Sequence, residues 1–187
     1  MTGIGKAGFM VLKTLGLNAA ASQGVWYEEF GERYDAEAIL KYSREFIGSY
    51  YAKNKVPVKK GLYTLLNWLK ASGCKMAVAS SSPSREVERH LHDAGVEEYF
   101  SAIVGGELVT RSKPEPEIYI KACQLLNEEP ENCYALEDSK NGLLAAYRAG
   151  CKAIMVPDLW QPDEETEKVL TAKFEDLEEV KSYFETL

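Results

Sequence analysis

From Gly61 onward, short apolar runs alternate with stretches whose apolar residues return every three or four positions, a texture that leads to a parallel sheet flanked by helices. Leu62, Leu65, Leu66 and Leu69 mark a helix that Gly73 stops. Residues 76–79 read as a strand ending on Ser80-Ser81-Ser82-Pro83. A helix over 84–94 follows, with Val87, Leu91 and Ala94 inward, and then a strand at Ile103-Val104 closed by Gly105-Gly106. Residues 115–126 make the next helix, with Ile118, Ala122 and Leu125 inward, and lead to a strand over 133–136. A helix closed by Gly150, a strand over 153–156 stopped by Pro157, and a last helix burying Val180, Phe184 and Leu187 complete the chain. Strands joined by helices of this length form βαβ units, so the fold class is α/β, a doubly wound Rossmann-like parallel sheet.

Ahead of Gly61 the pattern is helical only. Phe9, Leu12 and Leu15 share a stripe, a weaker helix covers 25–30, and Asp35 caps a third whose stripe is Ile39, Tyr42, Phe46 and Tyr50. Residues 54–61, with Pro57 and Gly61, break helices and suit a hinge. The expected division is an incomplete helical cap at 1–56 and an α/β core at 57–187.

At 187 residues the chain is long enough for one packed domain and an accessory piece. Of its net charge of −7, most sits in residues 161–187, which carry nine acidic and three basic side chains. That is a solvated acidic face, and nothing suggests nucleic acid. No apolar run reaches the length of a membrane span, and Lys13 interrupts the N-terminal apolar run too early for a signal peptide. Cys74, Cys123, Cys133 and Cys151 form no Cys-x-x-Cys pair and read as buried free thiols of a cytoplasmic protein. His90 and His92 are two apart on a helix, so they face different ways and do not form a metal pair.

The chemistry gathers at strand ends, where a parallel sheet opens its ligand crevice. The run Tyr134-Ala135-Leu136 delivers Glu137 and Asp138 onto the turn before a helix. Adjacent carboxylates repel, and a hard divalent cation with oxygen ligands, Mg2+, removes that cost. Asp138 or Ser139 equally reads as the N-cap of the following helix. Ser80, Ser81 and Ser82 offer hydroxyls and backbone N–H donors to an anion, and Lys113 adds a cation just ahead of a helix. Hydroxyls, an ammonium and a hard metal together describe a pocket for a phosphoryl group.

The ordered set of an apolar strand ending in serine, then Lys113-Pro-x-Pro-Glu-x-Tyr119, then Leu136-Glu-Asp-Ser-x-x-Gly142 resembles the haloacid dehalogenase superfamily. It is most similar to the phosphatases and β-phosphoglucomutase-like members with a helical cap. The resemblance implies that Ser80 hydrogen-bonds the transferring phosphoryl group, with Ser81 and Ser82 beside it. It implies that Lys113 neutralises the charge of phosphate and nucleophile, and that Glu137 and Asp138 hold Mg2+. Gly3-Ile4-Gly5-Lys6 looks like the cap's specificity loop, with Lys6 reaching the substrate.

One departure is large. In that family an Asp-x-Asp-Gly motif ends the first strand, upstream of the cap, and supplies the nucleophile and the acid/base. No Asp-x-Asp occurs in these 187 residues. The missing strand would lie between those ending at Ser80 and Leu136, and its loss would leave two open edges, which invite pairing or strand exchange. The expectation is therefore that Met1 is an internal methionine of a longer chain, and that the chain as written is inactive, because the aspartyl-phosphate intermediate cannot form. The full product would be a Mg2+-dependent phosphatase or phosphomutase of a small phosphorylated metabolite, as a monomer or a strand-exchanged dimer. The competing readings are a non-catalytic phosphometabolite-binding protein and, less well supported by the order of residues, a receiver-like signalling domain.

Overall fold

The structure, a computed structural model, describes residues 9–31, 35–54 and 57–187. Five strands and nine α-helices are described, in the order that the alternation of the sequence implies. The helices α1 (Phe9–Thr14), α2 (Ala19–Phe30) and α3 (Ala36–Tyr51) come first. Asn18 and Asp35 cap α2 and α3 by accepting the amides of Ala21 and Ala38. Thereafter α4 (Leu62–Ala71), β1 (Ala77–Ala79), α5 (Ser84–Ala94), β2 (Ala102–Val104), α6 (Glu117–Leu126) and β3 (Tyr134–Glu137) alternate. They are followed by α7 (Lys140–Ala149), β4 (Lys152–Met155), α8 (Glu164–Glu167), β5 (Ala172–Lys173) and α9 (Leu177–Phe184).

All strand pairs are parallel, and among the described residues they make two sheets rather than one. In the first, Ala77, Val78 and Ala79 of β1 face Ala102, Ile103 and Val104 of β2. In the second, β4 lies between β3 and β5. The fold class read from the sequence is the observed one, but no ladder joins β1 to β3.

Helices cover both faces, and β4 shows why its residues are all apolar after Lys152. Ala153 and Met155 point into the cluster beneath α6 and α7, with Ile118, Ala122, Leu143 and Ala146. Ile154 and Val156 point the other way, onto Leu65 of α4 and Leu177 and Val180 of α9. The first cluster also holds Val104, Ala77 and Ala79, so both sheets share one apolar layer.

Several expected faces differ. In α1 the buried side chain is Met10, whereas Phe9 and Leu12 are exposed. Tyr42, Phe46 and Tyr50 form the anticipated stripe on α3, yet all three are exposed because that face has no covering element among the described residues. Leu125 and Leu187 are exposed at helix ends, beyond the reach of the core. Two short elements, α8 and β5, were not legible as periodic runs; α8 is held by the capping box of Asp163 and Thr166. The four cysteines are free thiols as expected, but Cys74 is exposed, and Cys123 and Cys151 lie 3.8 Å apart, so distance along the chain concealed a close pair.

Leu143, with no solvent exposure, is the α7 residue set deepest under the strands. Leu143→Ala is expected to destabilise the fold by about 2–5 kcal/mol through lost burial and a residual cavity, read as a lower urea midpoint at unchanged m.

Candidate active site

The strand ends build the rim. Ser80 continues β1, donating its amide to Val104 O at 2.9 Å, and its Oγ accepts the amide of Ser82 at 3.1 Å. The serine run is therefore a hydroxyl-stabilised turn, in which Ser80 Oγ serves as an acceptor and keeps its own proton to donate. The facing loop approaches closely because it carries glycines: a Cβ on Gly106 would stand 2.3 Å from Ser81 O. One expected feature is altered. The amide of Ser84, at the start of α5, is taken by the carboxylate of Glu107 at 3.0 and 3.1 Å, so that donor is engaged within the chain. Hydrogen bonding to Ser84 in turn holds the Glu107 carboxyl below the ordinary carboxylate range.

Lys113 is buried and reaches the same rim from the loop before α6. Its ammonium donates to Ala79 O of β1 at 3.1 Å and to Glu137 Oε1 of β3 at 2.5 Å. It thus spans the carboxyl ends of the two sheets, one residue from Ser80 on one side and one residue from Asp138 on the other. Ser80, Lys113, Glu137 and Asp138 share one rim.

The last segment of the motif has three separable jobs. Glu137 is the final residue of β3, and both its oxygens are engaged: Oε1 accepts from Lys113 and from the hydroxyl of Tyr119, and Oε2 accepts from Ser139 Oγ at 3.3 Å. Ser139 is the N-cap of α7, accepting the amide of Gly142 at 3.1 Å. Gly142 is required by space, since a Cβ there would sit 2.1 Å from Glu137 Cδ. Capping thus falls to Ser139 and leaves Asp138 for other work.

Asp138 is half-buried and forms no ion pair among the described residues. Burial first, then the charge of Glu137, push its carboxyl above the ordinary range, opposed by Lys59 and by its own backbone amide. A half-buried carboxylate beside a second one fits a hard cation. Among the described residues, however, no group of three or more His, Cys, Asp or Glu side chains is arranged to hold a metal ion. Two oxygen-bearing residues agree in type with Mg2+ and leave most of its coordination to other groups.

Further contacts at this rim bring in Leu15, Gly16, Lys59 and Asn141, which the sequence did not single out for a role, and they engage the hydroxyl of Ser81, which it did. The hydroxyl of Ser81 donates to Gly16 O at 2.6 Å, and Asn141 Nδ2 donates to Leu15 O at 2.9 Å, so the end of α1 rests on the rim. Lys59 donates to Pro157 O at 2.8 Å, placing the segment before α4 beside the loop after β4. Tyr119 closes the Lys113-Pro-x-Pro-Glu-x-Tyr119 segment in the sequence, but nothing there assigned it a partner; in the structure its hydroxyl donates to Glu137 Oε1. Lys6, with Gly3-Ile4-Gly5, lies outside the described residues.

The family follows from this fold and motif order. A model of haloacid dehalogenase-like hydrolases matches residues 5–150, and the chain belongs to that family. It is 39% identical over 94 residues to the phosphorylated carbohydrates phosphatase of Thermotoga maritima, covering 50% of this chain and 44% of that protein. To the bifunctional riboflavin kinase/FMN phosphatase of Arabidopsis thaliana it is 35% identical over 123 residues, covering 65% of this chain and 32% of the relative. The chain therefore spans less than half the length of either. Among solved structures it resembles CbbY of Rhodobacter sphaeroides in complex with phosphate, with a TM-score of 0.78 and 26% identity over 94% of this chain and 80% of that one.

The raised Asp138 carboxyl has a pH consequence. A carboxyl whose pKa is higher in the folded chain than in the unfolded one favours folding while protonated, and that contribution is lost as pH rises through the folded value. Asp138→Asn is therefore expected to raise the thermal midpoint at pH 7, with the gain shrinking as pH falls toward the ordinary value of 3.8. A gain that stays constant across that window would contradict the assignment.

Proposed function

We propose that this chain carries most of the phosphoryl pocket of a Mg2+-dependent phosphatase or phosphomutase acting on a small phosphorylated metabolite. The observation that carries the reading is the buried ammonium of Lys113, held between Ala79 O and Glu137 on the rim that also bears Ser80 and Asp138. A cation with two fixed hydrogen bonds beside hydroxyls is suited to the dianionic oxygens of a phosphate monoester. Ser80 would donate to one phosphoryl oxygen, with Ser81 and Ser82 beside it, and Lys113 would neutralise charge as it builds. Asp138, assisted by Glu137, would hold Mg2+, which when bound supplies further charge neutralisation at the phosphoryl oxygens. The relatives named for phosphorylated carbohydrates and for FMN support the phosphomonoester class.

The nucleophile is not among these residues. The unpaired edges of β1 and β3, bridged at one end by Lys113, support the reading that the core, residues 57–187, takes a further strand between them, with residues 1–56 as its helical cap. An aspartate at the end of that strand would stand beside Lys113 and attack phosphorus in line, breaking the P–O bond to the metabolite, whose alcohol would leave with a proton from the second aspartate of the motif. Water would then cleave the aspartyl-phosphate to free the aspartate and orthophosphate. In this chain by itself the same open edges would be met by exchange with a second copy, giving a strand-exchanged dimer visible by light scattering, whereas a monomer would leave them unpaired. Free thiols suit a cytoplasmic enzyme, and no described helix is long and apolar enough to cross a membrane.

The test uses orthophosphate as the probe. Calorimetry is expected to show Mg2+-enhanced binding to this chain without turnover of p-nitrophenyl phosphate. Lys113→Met is expected to weaken that binding at least tenfold, about 1.4 kcal/mol, and Ser80→Ala by about three- to tenfold. Absence of phosphate binding with and without Mg2+ would overturn the reading. Binding that remains without turnover after an Asp-x-Asp strand is supplied would favour the non-catalytic alternative.

A further inference from the structure

The tyrosine that closes the Lys-Pro-x-Pro-Glu-x-Tyr segment holds neither phosphate nor Mg2+ in the proposed pocket, yet its hydroxyl enters the pair on which the pocket depends. Tyr119 lies on α6, six residues after Lys113, and is buried. Its phenol donates to Glu137 Oε1, the same oxygen that receives the Lys113 ammonium. The ammonium stands 3.5 Å from the phenol oxygen and 5.0 Å from the ring centroid. The three groups close a ring: lysine to carboxylate, phenol to carboxylate, lysine over phenol.

We propose that Tyr119 is a positioning residue, whose hydroxyl fixes the Glu137 carboxylate so that the Lys113 ammonium stays at the carboxyl ends of β1 and β3. Three constraints act on that carboxylate. Gly142 leaves room for it, Ser139 holds Oε2, and Tyr119 holds Oε1 from the α6 side. Without the phenol, Oε1 is held by Lys113 alone and the carboxylate keeps just the 3.3 Å bond from Ser139 on Oε2, so it can follow the flexible four-carbon stem of the lysine, and Ala79 O is left as the better fixed of the two anchors of the ammonium. Removing only the hydroxyl keeps the ring, its burial and its face toward the ammonium, and so separates positioning from packing.

The inference rests on the phosphoryl-pocket reading for its purpose, but its test does not need that reading to hold. In Tyr119→Phe, acetylation of Lys113 by dilute acetic anhydride, mapped by mass spectrometry against exposed Lys70, is expected to quicken about fivefold or more. The buried thiol of Cys123, one turn further along α6, reports any general loosening through its reaction with a disulfide reagent, and is expected to keep the wild-type rate. Orthophosphate affinity in the presence of Mg2+ is expected to fall about tenfold, and Tyr119→Phe combined with Glu137→Gln to weaken binding no more than Glu137→Gln alone. Unchanged Lys113 labelling overturns the inference. So does labelling that rises together with Cys123 reactivity, which would make the hydroxyl merely structural. If wild type fails to bind phosphate while Lys113 is still released by Tyr119→Phe, the positioning role stands and the functional reading falls.

Discussion

The arrangement depends on one buried ion pair, Lys113 with Glu137, whose side chains are only 6% and 8% exposed. Removing a single partner of such a pair leaves an uncompensated buried charge and costs about 3–5 kcal/mol, although the intact pair gains little over well-packed apolar groups. What it supplies is place. Lys113 arrives from the loop before α6, takes Ala79 O at the end of β1 and meets Glu137 at the end of β3, so three elements agree on one point. Without that agreement the serine turn and the acidic turn, which belong to separate sheets, would be joined at this rim through Leu15 and Gly16, the acceptors of Asn141 and Ser81.

The surroundings explain why the pair is tolerated. Below it lies a continuous apolar layer from Val104 to Met155 that both sheets share, and α6 and α7 seal it from one side. Above it, backbone and side-chain groups are consumed in order: Glu107 takes the α5 amide, Ser139 caps α7, and Leu15 and Gly16 accept from Asn141 and Ser81. Asp138 is the exception, with burial and a neighbouring charge both opposing its ionisation. A group held in that condition at a strand end is the one a cation would relieve.

Among the described residues, the end of α1 is tied to this rim by the hydrogen bonds of Ser81 and Asn141 to Gly16 O and Leu15 O. Gly16 has φ of 80°, and a Cβ there would come within 2.7 Å of Ser139 Oγ, so the close approach of α1 to the acidic turn depends on that glycine. Meanwhile Tyr42, Phe46 and Tyr50 leave an apolar stripe of α3 facing solvent. Periodicity identified the stripe correctly but was silent on whether anything covers it.

That contrast runs through the whole chain. The sequence by itself determined the order and type of nearly every element, because apolar spacing and capping residues act within a few positions of one another: Asp35, Gly73 and Gly150 each end or begin a helix where expected. It also marked Ser80, Lys113, Glu137 and Asp138 as the groups at strand ends. Only the tertiary structure decided that both oxygens of Glu137 are engaged while Asp138 forms no ion pair among the described residues, that Tyr119 belongs to the site, that Cys123 and Cys151 are neighbours, and that the strands divide into two sheets. The contacts of Glu137 with Lys113 and Tyr119, and of Cys123 with Cys151, join residues 18 to 28 positions apart, and no local preference encodes which distant partner a buried polar group will find.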